Sequence, residues 1–341
     1  MSRTNSLVLA LDDSGNQTSD VPVSIPDNGV KDASSYSFYI QDEWRPFDEL
    51  TVNYGLRYDI FHAYDNEGAL GPRINIVWKP IDGTTLHAGY SRYFSPPPFE
   101  LIGNETVGLF SGTTAAAPLA QDDTPKAERA NYFDVGAQQQ IVEGFAVGID
   151  SYYKRSRNLI DEGQFGAPII LTPFNYRDGL QYGVEFTATY DKGPFSAYGN
   201  LSLEHAIGRD IVSSQFQFDP GDLAYIASNY IHLDHEQALT ASAGASYLWY
   251  ETRFSADVLL GTGLREDSGV PNGGHLPTYT QVNVGARHDF DLISAGKLTL
   301  RLDVINLFDE KYEIRNGTGI GVGAPQWGPR RGYFLGVSQS F

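Results

Sequence analysis

Residue types that could do chemistry are concentrated in the segment His232–Glu236 (HLDHE), which holds two imidazoles and two carboxylates. These groups bind zinc in hydrolases. In the zinc-hydrolase helix, two histidines lie four residues apart and enclose the catalytic glutamate, and HLDHE does not have that order. The flanking residues also have the pattern of a strand. The sequence therefore predicts polar loop or rim residues here and no metal site.

A second segment, Gly317–Gly323 (GTGIGVG), has the glycine density of a phosphate-binding loop. Such a loop leaves a strand and opens a helix. No helical pattern follows Gly323, so we interpret the segment as a flexible extracellular loop. No serine–histidine–aspartate or paired-carboxylate arrangement can be defended from spacing alone. The sequence thus predicts no catalytic residue, no cofactor and no enzyme.

Composition excludes several classes of protein. The 42 Asp and Glu residues outnumber the 24 Lys and Arg residues, which disfavours nucleic acid as a partner because phosphate binding needs a basic face. The absence of cysteine excludes a disulfide framework and cysteine-ligated zinc. No apolar run approaches the roughly 18 residues of a transmembrane helix. The 36 glycines and 21 tyrosines favour an all-β protein.

Strict alternation of apolar and polar side chains is the dominant pattern. In residues 297–304 (KLTLRLDV), leucine and valine alternate with charged or hydroxyl side chains, so that each set occupies one face of a strand. About thirteen segments of roughly ten residues repeat this pattern, and ten residues is the length with which a tilted strand crosses a bilayer. The charged faces suit a wet lumen, because a dry core could not hold them unpaired. The predicted fold is an all-β, antiparallel up-and-down transmembrane β-barrel of about thirteen or fourteen strands.

The connections alternate between short and long, which is typical of periplasmic turns and extracellular loops in outer-membrane barrels. We expect residues 1–33 to be polar loop with one strand at Ser6–Leu11, and residues 34–341 to form the barrel segment. The predicted long loops are 61–71, 95–124, 157–178, 207–236, 263–277 and 309–329.

The last ten residues, Gly332–Phe341, form an amphipathic strand that ends in phenylalanine. Such a strand resembles the closing strand of bacterial outer-membrane barrels, which is the signal for the barrel-assembly machinery. Gln339 departs from the pattern, since an aromatic residue is usual there. The residues expected to carry the signal are Tyr333, Leu335, Val337 and Phe341.

A further resemblance extends over most of residues 34–341. The chain is similar to the carboxy-terminal end of TonB-dependent outer-membrane receptors, in which an NLFD-x-x-Y segment precedes a closing strand that begins with Pro-Arg. Here Pro329 and Arg330 begin that strand. That family has a 22-stranded barrel with an amino-terminal plug inside, whereas this sequence shows no plug and no coupling segment. Residues 1–10 also lack a secretory signal, so either the chain is a fragment of a longer precursor, as we expect, or the membrane interpretation is wrong. The NLFD-x-x-Y motif comprises Asn306, Leu307, Phe308, Asp309 and Tyr312.

The resemblance implies an active uptake receptor in the outer membrane of a Gram-negative cell. Its ligand would be scarce, such as an iron–siderophore, cobalamin or an oligosaccharide. The implied partners are this ligand, outer-membrane lipid, the barrel-assembly machinery, and TonB through a plug that the sequence lacks. Among loop residues, His275 and Trp327 are the candidates for ligand contact. The alternative is a self-contained passive pore of about fourteen strands, an even number as such barrels prefer.

Overall fold

The computed structural model describes residues 4–27, 32–63, 65–98, 107–119, 121–165, 170–292 and 296–340. The strands in chain order are β1 (Thr4–Val8), β2 (Val23–Asp27), β3 (Ser34–Phe47), β4 (Leu50–His62), β5 (Asn66–Trp78), β6 (Thr84–Ser95), β7 (Glu128–Val142), β8 (Phe145–Phe165), β9 (Ile170–Lys192), β10 (Phe195–Ile211), β11 (Ile231–His232), β12 (Leu239–Trp249), β13 (Thr252–Gly261), β14 (Arg265–Glu266), β15 (Gly274–His275), β16 (Tyr279–Leu292), β17 (Gly296–Ile305), β18 (Glu313–Arg315), β19 (Gln326–Trp327) and β20 (Gly332–Ser340).

One large sheet dominates the protein. Thirteen strands follow each other in an unbroken antiparallel order from β3 to β20, and the short β11 pairs beside β10. The pairing is a meander, so the predicted all-β antiparallel class is confirmed. The sheet is not closed. Within the described ranges, β3 pairs only with β4, and β20 pairs only with β17, so both leave an open edge.

The two faces of the sheet differ as the alternation predicts. Along the β17–β20 pair, Leu300 lies opposite Val337 and Leu302 lies opposite Leu335. The intervening Arg301 points to the other face, since side chains alternate along a strand. Polar pairs occupy that second face. They include Arg301 Nε to Asp303 Oδ2 at 2.6 Å, Arg57 Nε to Asp59 Oδ1 at 2.8 Å and His87 Nε2 to Asp150 Oδ1 at 2.9 Å.

Short turns join the strands at one end of the sheet. Only Glu143 and Gly144 separate β7 from β8, and Gly144 has a φ of +81°. A Cβ there would collide with the carbonyl oxygen of Asp191, so glycine is required on two grounds. Tyr250 makes the β12–β13 turn with a φ of +53°, which is uncommon for a bulky residue. The long connections lie at the opposite end.

Several strands extend beyond the boundaries that alternation predicts. β8 and β9 stay paired from Arg157↔Asp178 to Phe165↔Ile170, across a range predicted as loop 157–178. β4 and β5 pair up to His62↔Asn66, so the predicted loop 61–71 is mostly strand. These two boundaries were wrong. Backbone pairing continues where neither face is uniformly apolar, and there the period-2 pattern disappears.

The amino-terminal strands form a separate hairpin. β1 pairs with β2, so the expected strand at Ser6–Leu11 begins two residues earlier and ends at Val8. Val8 and Ile25 pack against Phe110 of the β6–β7 connection. The α-helix α1 (Pro220–Ile226) lies in the β10–β12 connection and is capped by the Asp219 carboxylate. None of the described helices has the length and apolar character needed to span a membrane.

Candidate ligand-binding surface

The long connections and the strand ends beside them form what we call the loop layer. It has its own apolar core, in which every member is at most 8% exposed. Strands, α1 and two separate connections contribute to this core, so the loops are held against each other by burial rather than only by their ends. The core consists of Leu159, Phe174, Tyr176, Ala206, Ile211, Phe218, Ile226, Ile231, Leu233 and Ile320.

Buried polar side chains fasten the β6–β7 connection to this layer. The Asn175 side chain is fully buried and donates from Nδ2 to the carbonyls of Lys126 (3.0 Å) and Asn158 (2.9 Å). Its Oδ1 accepts from the Lys126 amide at 2.8 Å. The next amide, that of Ala127, donates to Glu67 Oε1 at 2.6 Å. Residues 126–127 are therefore fixed at the base of a long connection.

The side chains of the HLDHE segment belong to two separate groups of histidine and acidic residues. In the first, the fully buried Glu236 carboxylate accepts from Arg265 Nη2 at 2.6 Å and from the Ala206 amide at 3.0 Å. His232 Nδ1 lies 2.8 Å from Glu236 Oε2, and His205 Nδ1 lies 3.5 Å from Oε1. Burial alone would raise the pKa of Glu236, but the hydrogen bonds from His232 and Arg265 hold it below its ordinary value.

The second group is an ion-pair network. Asp234 contacts His235 Nδ1 at 2.9 Å and Arg315 Nη1 at 2.6 Å, and Asp161 Oδ1 lies 3.7 Å from His235 Nδ1. The hydrogen bond to Asp234 raises the pKa of His235 to about 9. Burial raises the pKa of Asp161 to about 7. His235 is therefore an imidazolium at neutral pH and ties β8 to the β10–β12 connection.

The glycine-rich segment Gly317–Gly323, expected to be a flexible loop, is packed against two other connections. The Ile320 amide donates to Asn272 Oδ1 at 2.9 Å, and Asn272 Nδ2 donates to the carbonyls of Ile320 (2.9 Å) and His232 (2.8 Å). Gly319 has a φ of +87°, and a Cβ there would collide with Asn272 Oδ1. Glycine is required at position 319 because the segment packs closely against the Asn272 side chain.

Asn306, the first residue of the NLFD-x-x-Y motif, organises the turn after β17. It is fully buried, with a φ of +52°. Its Nδ2 donates to the carbonyls of Glu310 and Pro329, both at 2.9 Å, and its Oδ1 accepts from the Glu310 amide at 2.9 Å. One side chain thus joins both ends of the β17–β20 connection.

The other motif residues strengthen the same connection. Asp309 accepts from Arg330 Nε at 2.7 Å and from the Arg331 amide at 3.0 Å, and the Arg330 hydrogen bonds hold the pKa of Asp309 far below its ordinary value.

Tyr312 stacks on Tyr279 with ring centroids 4.2 Å apart. The Leu307 amide donates to the Val282 carbonyl at 2.7 Å, while Phe308 is 72% exposed.

His275 and Trp327 lie on two different small hairpins of the loop layer. His275 belongs to β15, which pairs with β14, and its side chain is exposed. Trp327 belongs to β19, which pairs with β18, and is 64% exposed. Both are available at the surface, and their role as ligand contacts stays a prediction. Of the expected assembly residues, Tyr333, Leu335 and Val337 are exposed on β20, whereas Phe341 lies outside the described residues.

Two features were missed by sequence reasoning. Tyr93, Tyr132 and Tyr152 form a row across β6, β7 and β8, with Tyr132 and Tyr152 stacked at 6.3 Å. Each of these tyrosines is an odd number of residues away from the apolar residues of its strand, and therefore lies on the opposite face of the sheet. An aromatic residue on the polar face is the signal that could have identified them. His205 comes to the HLDHE segment from β10, and no local spacing indicates that contact.

The sequence matches the family described as "TonB dependent receptor-like, beta-barrel" over residues 4–307. No match is found among curated proteins. Several solved structures share the fold. The FrpB iron transporter from Neisseria meningitidis has a TM-score of 0.62 and 18% identity, covering 89% of this chain and 45% of that chain. The copper transporter OprC has a TM-score of 0.65 and 16% identity, covering 91% and 47%.

The siderophore receptor PiuA from Acinetobacter baumannii has a TM-score of 0.65 and 16% identity, covering 98% of this chain and 50% of that chain. The chain therefore spans half or less of these three proteins. At such identities the structural likeness shows the fold alone. Because the family match extends over residues 4–307, the chain belongs to the TonB-dependent receptor β-barrel family.

Proposed function

We propose that this chain is the carboxy-terminal barrel portion of an outer-membrane receptor that takes up a scarce ligand actively, with energy delivered by TonB. The observation that carries the proposal is the open sheet of thirteen strands, which corresponds to half or less of the receptors and transporters that it resembles. Strands outside this sheet would pair with β3 and β20 and complete the barrel, since unpaired backbone groups are costly in hydrocarbon.

Strand number argues against the self-contained passive pore. β3 and β20 are the first and thirteenth strands of an antiparallel path, so they run in the same direction. Closing this sheet on itself would pair them in parallel and give an odd number of strands. Bacterial single-chain barrels are antiparallel and have an even number of strands. An open sheet that is extended by further strands to an even number agrees with that rule better than closure of these thirteen strands.

The two faces of the sheet support placement in a membrane. Large apolar side chains are exposed along one face, for example Ile40 (73%), Leu302 (50%) and Leu335 (77%). A contiguous exposed apolar surface indicates a membrane or protein partner, and we infer outer-membrane lipid. The face that holds Arg57, Arg301 and their carboxylates would then line the lumen, where ion pairs stay hydrated.

We infer that the ligand is a metal complex, such as an iron–siderophore, captured by the loop layer. Proteins with this fold include an iron transporter, a copper transporter and a siderophore receptor. The rigid core of the loop layer supports the idea, because fixed loops lose less entropy on binding than mobile ones. His275 and Trp327 would contact the ligand from their exposed hairpins.

Uptake in cells tests the proposal. The complete reading frame that contains this chain would be expressed in a Gram-negative host, with or without TonB, and supplied with radiolabelled ferric siderophores, cobalamin and oligosaccharides. Active uptake predicts that one ligand accumulates above its external concentration only when TonB is present. Equilibration of many small solutes without TonB would contradict the proposal and favour the pore.

A further inference from the structure

We propose that His205, His232 and Glu236 form a binding site for a divalent transition-metal cation of the zinc class. The site lies where β11 pairs beside β10, at the base of the loop layer. The three residues come from β10 and from the HLDHE segment, and their ligand atoms all lie within 4.8 Å of one another. This proposal is independent of the uptake function.

The spacing of the ligand atoms suits a tetrahedral ion. With metal–nitrogen and metal–oxygen bonds of about 2.0 Å, neighbouring ligand atoms are roughly 3.3 Å apart. The His232 Nδ1 to Glu236 Oε2 distance is 2.8 Å and the His205 Nδ1 to Glu236 Oε1 distance is 3.5 Å, so each imidazole lies near one oxygen of the same carboxylate. Two imidazoles and one carboxylate are a common set of ligands for zinc, with a fourth position left for water.

The surroundings hold these ligands in place. Arg265 Nη2 binds Glu236 Oε1 at 2.6 Å and the Ala206 amide binds Oε2 at 3.0 Å, which fixes the orientation of the carboxylate. The His205 ring packs against Tyr182 at 5.1 Å and against His232 at 5.1 Å. Outer contacts of this kind raise metal affinity by orienting the ligands. Glu236 is fully buried, whereas His205 and His232 are each about one-third exposed, so an ion can enter from solvent on the imidazole side.

The neighbouring group of acidic and histidine side chains lacks the same capacity. Asp161 and Asp234 already face two cations, the His235 imidazolium and Arg315. A protonated imidazole has no lone pair to donate, so His235 cannot be a metal ligand in this group. His235 therefore provides a control histidine in the same five-residue segment.

Binding would connect the β10–β12 connection to the sheet. His205 belongs to β10, while His232 and Glu236 belong to the chain that leaves α1, so one ion would add a link between two segments that are already joined by hydrogen bonds at β11. The net charge of −18 favours the approach of cations.

Calorimetric zinc titration in detergent of the protein expressed from the complete reading frame that contains this chain tests the site. We expect one saturable Zn²⁺ per chain. His205→Ala and His232→Ala should each weaken binding by about tenfold or more, since even indirect contacts to metal ligands are worth 10–100-fold. His235→Ala should leave the affinity within about twofold, because His235 is not a ligand in this arrangement.

A spectroscopic measurement distinguishes the loss of one metal ligand from misfolding of the variant. Cu²⁺ bound to the wild-type chain should show electron paramagnetic resonance splitting from two nitrogens, and the His205→Asn variant should show one. Absence of saturable binding, unchanged affinity in His205→Ala and His232→Ala, or loss of binding in His235→Ala would each overturn the proposal. So would a wild-type spectrum without nitrogen splitting.

Discussion

Replacing Asn306 tests the structural role of the NLFD-x-x-Y motif. Alanine removes three hydrogen bonds, to the Glu310 carbonyl, the Pro329 carbonyl and the Glu310 amide. Because the Asn306 side chain is fully buried, each lost bond should cost about 1 kcal/mol, for a total of roughly 3 kcal/mol. Asn306 also has a φ of +52°, a conformation that costs alanine roughly 1 kcal/mol more. Asn306→Ala should therefore destabilise the protein by about 4 kcal/mol.

Glycine separates the two contributions. Asn306→Gly loses the same hydrogen bonds but accepts the positive φ, so it should be roughly 1 kcal/mol less destabilising than Asn306→Ala. Asn200→Ala is the control, since Asn200 makes an exposed hydrogen bond to Ser242, and we expect a loss below about 1 kcal/mol. The measurement is equilibrium urea unfolding, in lipid vesicles, of the protein expressed from the complete reading frame that contains this chain. The reasoning is refuted if Asn306→Ala resembles the control, or if glycine is more damaging than alanine.

Three further predictions concern the sheet and the loop layer. Leu300→Arg on the apolar face should cost about 2–4 kcal/mol in the same unfolding assay, against under about 1 kcal/mol for Ser338→Arg on the polar face of the adjacent strand. Equal losses would show that the two faces are assigned wrongly. The contribution of His235, whose pKa is raised to about 9 by the hydrogen bond to Asp234, should be complete below about pH 6.5 and lost as the pH rises through 9. The stability difference between wild type and His235→Gln should shrink over that interval, and a difference that grows with pH would contradict the ion pair. Val337→Asp should reduce the amount of assembled protein in outer-membrane fractions, whereas Ser338→Asp should not; the reverse order would argue against the assembly role of the apolar face of β20.

Local alternation of side chains is sufficient to predict most of the sheet. Residues 297–304 illustrate this, because leucine and valine fall on one face and each paired charge falls on the other. Alternation fails beyond the apolar band, where β8 and β9 remain paired although neither face is uniformly apolar. There the strands are specified by backbone hydrogen bonds and by burial of Leu159 and Phe174 in the loop layer, and both depend on distant segments.

The candidate sites were less predictable for the same reason. Asn306 could be identified from its motif, but the carbonyl of Pro329 that it binds lies 23 residues away. His205 and Glu236 are separated by thirty-one residues and meet only because β11 folds back onto β10. Spacing within HLDHE therefore could not predict that His232 shares the Glu236 carboxylate with His205, whereas His235 contacts Asp234.

We infer that this sheet of thirteen strands is part of a larger barrel rather than a self-contained pore. Single-channel conductance in planar bilayers, after refolding the chain in detergent and checking for a heat-modifiable gel shift, tests it most directly. Two open edges running in the same direction predict slow, heterogeneous or absent insertion and no uniform conductance step. A compact heat-modifiable species with steady channels of one size would contradict the claim and establish a self-closing pore.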